Sequence, residues 1–450
     1  MVKKAYLNLL FILIGKLLYS QDVHDWNKTM YAREIIDSLT AEQMHGRGYV
    51  SNGDLLAAGY IKTTFQKFGL KSFGNEYYQK FNFSVNTFPG EIQFEILGKD
   101  DVTKKNKAFL GKPGVNMLIG AGCKSEHNTY PLVVFDSTYT LSEKIFERFK
   151  EKISTTACLI LVDDRGVSDK NKMEYFKKAK SNYFNTVGII EFTEKLTHTV
   201  VQQESPFLIF KLLKDSVAIN VNQLKKLRAK VEIQNKLLPA HATQNVIGYV
   251  EGRVQPDSFV VFSAHYDHLG QLGSHVFFPG ANDNASGCAM LLNLARYYAL
   301  PENKPDYSIV FMAFAGEEVG LLGSAYYTKH PLFPLSRIRF LLNMDIMGTG
   351  EEGITVVNGT LHKNEYEELV ELNKANDFLK EVKIRGKAAN SDHYHFSENG
   401  VKTFFIYTLG GIKAYHDVYD KAETLPLTKF EELFKLIIRF TDYLQHYQKI

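Results

Sequence analysis

The chain has 450 residues, 45% of them hydrophobic and 23% charged, a balance that excludes a disordered or fibrous protein and, at this length, a single small core. The formal charge is +3, but Lys3, Lys4 and Lys16 all precede residue 21, and setting those three aside leaves 50 basic groups against 50 acidic ones. That even balance speaks against nucleic acid as a partner.

The first segment, MVKKAYLNLLFILIGKLLYSQ, sets two lysines before the apolar run 5–14 and places small Ser20 ahead of Gln21. It reads as a signal peptide over residues 1–20, removed on export to the periplasm or the medium. Lys16 interrupts the apolar stretch, which is too short to span a bilayer, so a retained anchor is the weaker reading and no stable membrane insertion is expected. Export permits disulfides, yet three cysteines cannot pair completely. Cys123 and Cys158 are open to pairing if they lie close, whereas Cys288 falls in a helical segment and reads as a buried thiol.

Residues 21–89 supply the first part of the main domain, including helical segments within SLTAEQMHGRGYVSNGDLLAAGYIKTTFQKFGL. From 90 to 237 the chain carries the short β-rich runs VNMLIGAG, YPLVVFD, TACLILVDD and NTVGIIEF, a lysine-rich helical stretch around Lys170 to Lys180, and no cluster of metal-ligand residues. This is a separate small β/α module inserted into the main domain. It is either a lid that narrows access to a site or a spacer with no part in selectivity.

Residues 238–450 complete the main domain and hold the residues that carry chemistry. Phe259 to Phe262 form an apolar, strand-like run that ends just before His265, and Ile309 to Phe314 lead to Glu317 and Glu318. Phe340 to Leu342 run into Asp345, while Phe404 to Tyr407 lie upstream of His416. Open α/β sheets bind ligands beyond the carboxyl ends of their strands, so these residues are expected to meet in one crevice.

Imidazole and carboxylate without cysteine suit an open zinc site rather than a closed structural one. Two metals about 3.5 to 4 Å apart need one ligand that touches both. Asp283 fits that part, because it sits in the turn-rich GANDNASG that opens a helix over 285–300. His265 then pairs with Asp345 on one metal, and Glu318 with His416 on the other. Glu317, adjacent to Glu318 but pointing elsewhere, is left to move protons as a general base. Asp267, two residues past His265, is placed to accept that histidine's second ring N–H. The phenol of Tyr415 is a candidate oxyanion donor. His268, His275, His393 and His395 stay outside the metal set; Asp392 and His393 in SDHYHF are candidates only to line the cleft.

At the far end, LTKFEELFKLIIRFTDYLQHY is an amphipathic helix with Thr428 and Glu431 in a capping-box pattern and Phe430, Leu433, Phe434, Ile437 and Leu444 on one side. HExxH, GxSxG and GxxxxGK[ST] are all missing, which removes the commonest rival chemistries.

Taken in order, SAHYDHLG, GANDNASG, FAGEEVGLLGS, NMDIMG, SDHYHF and YHDVYD resemble the motifs of the co-catalytic di-zinc aminopeptidase family, which includes secreted bacterial aminopeptidases, glutamate carboxypeptidase and the transferrin receptor. The resemblance runs closely from Gln244 to the C-terminus and more loosely over the opening helical stretch. It implies metal ligands at His265, Asp283, Glu318, Asp345 and His416, Glu317 as general base and Tyr415 near the oxyanion. It also implies two zinc ions per chain and a peptide substrate. The implied fold is a mixed, mostly parallel central sheet flanked by helices, and the inserted module looks like the protease-associated domain that members of the family carry. An aminopeptidase is the first reading. The alternatives are a carboxypeptidase or dipeptidase, for which Arg385 and Lys387 are the nearby cations, a single-zinc glutaminyl cyclase, or a receptor-like protein without activity. Side-chain preference, native metal and oligomeric state are left open.

Overall fold

The computed structural model describes residues 26–99, 109–153, 155–216 and 225–446, so the leader read at 1–20 lies outside the described residues. Helices α1 (Lys28–Thr40) and α2 (Gly53–Lys67) come first, then strand β1 (Tyr78–Thr87). The Asn27 side chain caps α1 by accepting from the Met30 amide, and the helix buries Ala32, Ile35, Ile36 and Leu39.

The chain then builds a second sheet from β2 (Ile92–Lys99), β3 (Phe109–Leu110), β4 (Met117–Ile119), β5 (Glu126–Phe135), β6 (Leu159–Val162), β7 (Gly188–Thr193), β8 (Leu208–Leu213) and β9 (Lys225–Ile233). Helices α3 (Glu143–Ile153) and α4 (Lys170–Lys180) cover one face of it. Successive residues of β6 point to opposite faces, so Leu159 and Leu161 enter one core while Cys158, Ile160 and Val162 meet Phe146, Phe149 and Phe176 from the helices in another.

The chain returns through β10 (Lys236–Val250), β11 (Gln255–His265), a short hairpin of β12 (Gln271–Leu272) and β13 (Val276–Phe277), α5 (Ser286–Ala299) and β14 (Tyr307–Phe314). It continues with α6 (Leu322–Lys329), β15 (Ile338–Met344), β16 (Gly353–Val357), α7 (Lys363–Asn376), β17 (Val382–Ile384), α8 (His393–Glu398), β18 (Thr403–Leu409) and α9 (Phe430–His446). The main sheet has the order β1-β10-β14-β11-β15-β18-β16-β17. Its four central strands, β14, β11, β15 and β18, are neighbours and mutually parallel.

These central strands read as nearly unbroken apolar runs because both faces are covered. Val260, Phe262 and Ala264 of β11 join one core with residues of α1, α2, α5 and α9, while Phe259 and Val261 join the other with Tyr327 and Phe396. Parallel neighbours buried on both faces have all their carboxyl ends on one edge, and that edge is where the chemistry collects. The second sheet is not independent of it, because Phe88, Leu269, Leu272 and Phe278, which lie outside its strands, belong to its core.

The capping-box expectation at the last helix does not hold. Leu427 and Lys429 both take left-handed backbone angles, so the chain turns through Thr428 and the helix starts only at Phe430. Thr428 therefore stands one place too early to cap, and Glu431 instead pairs with Lys435 at 3.1 Å. The apolar side chains assigned to its inner face are all buried. The three cysteines are free and buried. Among the described residues no helix is long and apolar enough to cross a membrane.

Candidate metal centre

His265 is the last residue of β11 and Asp345 follows β15 by one residue, so two adjacent parallel strands deliver an imidazole and a carboxylate side by side. The His265 Nε2 lies 3.4 Å from Asp345 Oδ1 and 3.4 Å from Asp283 Oδ1. The other oxygen of Asp283 faces a different histidine: His416 Nε2 is 3.1 Å from Asp283 Oδ2 and 3.3 Å from Glu318 Oε2. One carboxylate thus stands between two imidazole and carboxylate pairs, with an oxygen turned to each. Glu317 also comes in, with ligand atoms of His265, Glu317 and Asp345 all within 4.8 Å of one another.

Several contacts fix Asp283. It sits in an irregular turn just before α5, and the Asn282 and Asp283 amides donate to the two oxygens of Asp420 at 2.9 and 3.0 Å. The Asn284 side chain accepts from the Gly287 amide at 2.9 Å and donates to the Met344 carbonyl at 3.0 Å, tying the helix start to the end of β15. Gly280 takes φ +60°, and a Cβ there would lie 2.2 Å from the Asp283 carbonyl and 2.4 Å from the His268 ring, so only glycine allows this approach.

Three features here were not legible in the sequence. Arg47, from HGRG, is fully buried under the site and donates to the carbonyls of Tyr266, Leu39, Pro279 and Gly280 at 2.6 to 3.1 Å. It acts as a hub for loops that have no ladder of their own; its only sequence signal was a lone arginine between glycines. His268 was set aside, yet its Nδ1 lies 2.6 Å from Glu318 Oε1, and it forms a close group with Asp283 and Glu318. Its spacing of three from His265 was the available signal. Ser391 donates to Asp345 Oδ2 at 3.1 Å, so the SDH motif steadies the strand-end carboxylate from behind.

Asp267 departs from its expected role. The His265 Nδ1 lies 3.1 Å from the main-chain carbonyl of Asp267, while the carboxylate is 3.9 Å away and beyond hydrogen-bond reach. The carboxylate turns instead to accept the Tyr49 hydroxyl at 2.7 Å and the amides of Glu317 and Glu318 at 3.2 and 3.3 Å. The nearer carbonyl satisfies the ring, and the side chain serves the turn after β14. Tyr415 stacks on His416 with ring centroids 4.0 Å apart and is 47% exposed, so its phenol stands at the mouth of the site. Asp392 and His393 are fully buried rather than lining an open cleft. The two cations considered for a carboxylate clamp are engaged at the surface, Lys387 with Glu398 and Arg385 with the Tyr407 hydroxyl at 3.4 Å.

The electrostatics test whether a cation fits. Burial opposes charge on His265, yet Asp345 and Glu317 hold its imidazolium well above the ordinary histidine range. Burial likewise opposes His416, but Asp283 and Glu318 raise it to about 9. Burial pushes the Glu317 carboxyl well up, with Glu318 and Asp345 adding like charge. Carboxylates outnumber cations so heavily that the histidines themselves are drawn into the positive role. Asp345 Oδ1 is buried without a hydrogen-bond partner. A hard or borderline divalent cation with nitrogen and oxygen donors fits such a set.

Residues 245–441 match the family described as Peptidase family M28. A probable zinc metalloprotease of Pyricularia oryzae is 40% identical over 113 residues, covering 24% of this chain and 22% of that protein. Aminopeptidase YwaD of Bacillus subtilis is 37% identical over 119 residues, covering 26% and 24%. The chain therefore matches about a quarter of the length of these relatives. In fold it is similar over 92% of its length to a zinc aminopeptidase from Bacillus subtilis, covering 94% of that chain at TM-score 0.63 and 19% identity. It is similar over 97% of both chains to a peptidase M28 precursor from Shewanella amazonensis, at TM-score 0.66 and 16% identity.

Proposed function

We propose that the chain, whose residues 245–441 match Peptidase family M28, is a secreted two-zinc aminopeptidase that hydrolyses the N-terminal bond of peptides. The observation that carries this reading is Asp283, whose two oxygens face His265 at 3.4 Å and His416 at 3.1 Å, each histidine with a further carboxylate beside it. His265 and Asp345 would hold one zinc, His416 and Glu318 the other, and Asp283 both. Bound there, the pair would supply Lewis acidity and lower the pKa of water.

The residues do the rest. Glu317 would take the proton of the attacking water and then return it to the nitrogen of the leaving amine as the C–N bond breaks. The Tyr415 phenol is raised above its ordinary value by burial and by the neighbouring carboxylates, keeps its proton, and is available to donate to the oxyanion. The density of carboxylates around the metal positions would supply negative charge to receive a free α-ammonium. Secretion rests on the composition of the leader alone, and the likeness of the inserted module to a protease-associated domain rests on its runs and helix.

A panel of free and N-acetylated aminoacyl-nitroanilides, offered to the protein before and after chelation, tests the reading. Release from the free amines only, lost with chelator and restored by zinc, is the expected result. Equal turnover of the acetylated substrates would overturn it.

A further inference from the structure

The ligands of the site are not held alike. His265 and Asp345 stand at the ends of paired central strands, whereas His416 lies in the segment 410–421, which has neither helix nor strand of four residues or more. His416 itself takes a left-handed backbone angle, φ +53°, a conformation that a non-glycine residue keeps only when its surroundings over-determine it. What over-determines it comes from the inserted domain.

The connector between β7 and β8 crosses to this loop. The His198 amide donates to the His416 carbonyl at 2.9 Å. The Lys195 ammonium reaches the Lys413 carbonyl at 2.7 Å, the Tyr415 carbonyl at 3.0 Å and the Asp417 carboxylate at 2.8 Å. An ammonium has three N–H donors, and these three partners use them all. Asp417 in turn accepts the amides of Tyr415 at 3.3 Å and Tyr419 at 2.9 Å, so the ion pair closes a turn with His416 inside it. The connector is itself anchored, because the Asn86 amide donates to Val201 at 2.9 Å and the Ser84 hydroxyl to Gln202 at 2.7 Å. Its Gln202 amide also reaches the Val319 carbonyl, one residue from Glu318, at 3.3 Å.

We propose that Lys195, on the inserted domain, is a positioning residue for one metal only: it locks the loop that presents His416, so the zinc shared by His416 and Glu318 depends on the inserted domain while the zinc at His265 and Asp345 does not. The inserted domain is then part of the metal centre's scaffold rather than a spacer or a passive lid. The proposal rests on the two-zinc reading above.

Lys195 is 42% exposed, so its replacement leaves both cores untouched. Zinc is titrated into the metal-free full-length protein against a chromogenic chelator, for the wild type, Lys195→Met and Asp417→Asn. The expected result is two binding events in the wild type, one of them weakened about 10- to 100-fold in either variant and the other unchanged, as is usual when a partner orienting a metal ligand is lost. In a His416→Ala background, which removes the event that depends on His416, Lys195→Met should then have no further effect on the event that remains. Equal affinity in variant and wild type, or parallel weakening of both events, would overturn the proposal. A wild type that takes up fewer than two zinc ions overturns the two-zinc reading and this assignment with it. A wild type that binds two but cleaves no peptide overturns the aminopeptidase reading alone, and selective weakening in that protein still supports the clamp.

Discussion

Two neighbouring carboxylates separate by backbone direction. Glu317 and Glu318 both donate their main-chain amides to the Asp267 carboxylate, yet the side chain of one joins His265 and Asp345 and that of the other joins Asp283 and His268. Glu317→Gln keeps the shape and removes the base, so it is expected to lower kcat by about 10²- to 10⁴-fold while zinc content stays unchanged. Loss of zinc in parallel with activity would make Glu317 a ligand instead of a base. At this scale the sequence was informative where a residue's neighbours along the chain decide its place. Strand ends put His265, Glu318 and Asp345 on one edge. It misled where two acceptors compete for one donor: no pattern tells whether the Asp267 carbonyl or its carboxylate will take the His265 N–H. Arg47 escaped for a similar reason, since its acceptors are main-chain carbonyls scattered from residue 39 to residue 280.

Elements meet where the connector between β7 and β8 crosses to the loop that carries His416. Next to Lys195 in this crossing, the buried His198 ring stacks on Phe278 with centroids 5.1 Å apart. Burial pushes its imidazole down to about 3, with Lys211 contributing. In the unfolded chain the same ring protonates near pH 6.5, as an ordinary histidine does. Between those two values the unfolded state holds the extra proton, so the contribution of this residue to stability is full above about 6.5 and falls as the pH is lowered toward 3. Urea unfolding of the zinc-free protein from pH 7 to pH 4 is expected to show the wild type losing stability more steeply than His198→Gln, which has nothing to titrate. Parallel curves would mean that the ring is hydrated or already charged in the folded state. Such contacts are invisible to periodicity, because Lys195 and Asp417 lie more than two hundred residues apart and the loop carrying His416 has no repeat of its own. The strands and helices themselves were easier. Phe259 to Phe262 form an unbroken apolar run because both faces are buried, and the face of α9 follows the helical spacing that burial imposes.

Over the whole molecule, a sheet of eight strands with four parallel neighbours at its centre presents one edge, and a second sheet inserted after β1 returns to brace it. The parallel order was legible as a fold class because unbroken apolar runs need both faces covered. The order in which the strands lie was not, since β14 inserts between β10 and β11 by pairing across sequence. On the proposed two-zinc reading the metal positions are unequal around a single carboxylate, one set by strand ends alone and the other dependent on the loop that carries His416. Counting zinc per chain in the purified protein, alongside turnover of a free aminoacyl-nitroanilide as zinc is restored stepwise to the chelated protein, tests that arrangement most directly. Two zinc ions per wild-type chain, with full activity only when both are present and both affinities reduced in Asp283→Ala, is the predicted result. A single zinc that supports full activity, or an Asp283→Ala protein that still holds two ions tightly, would contradict it.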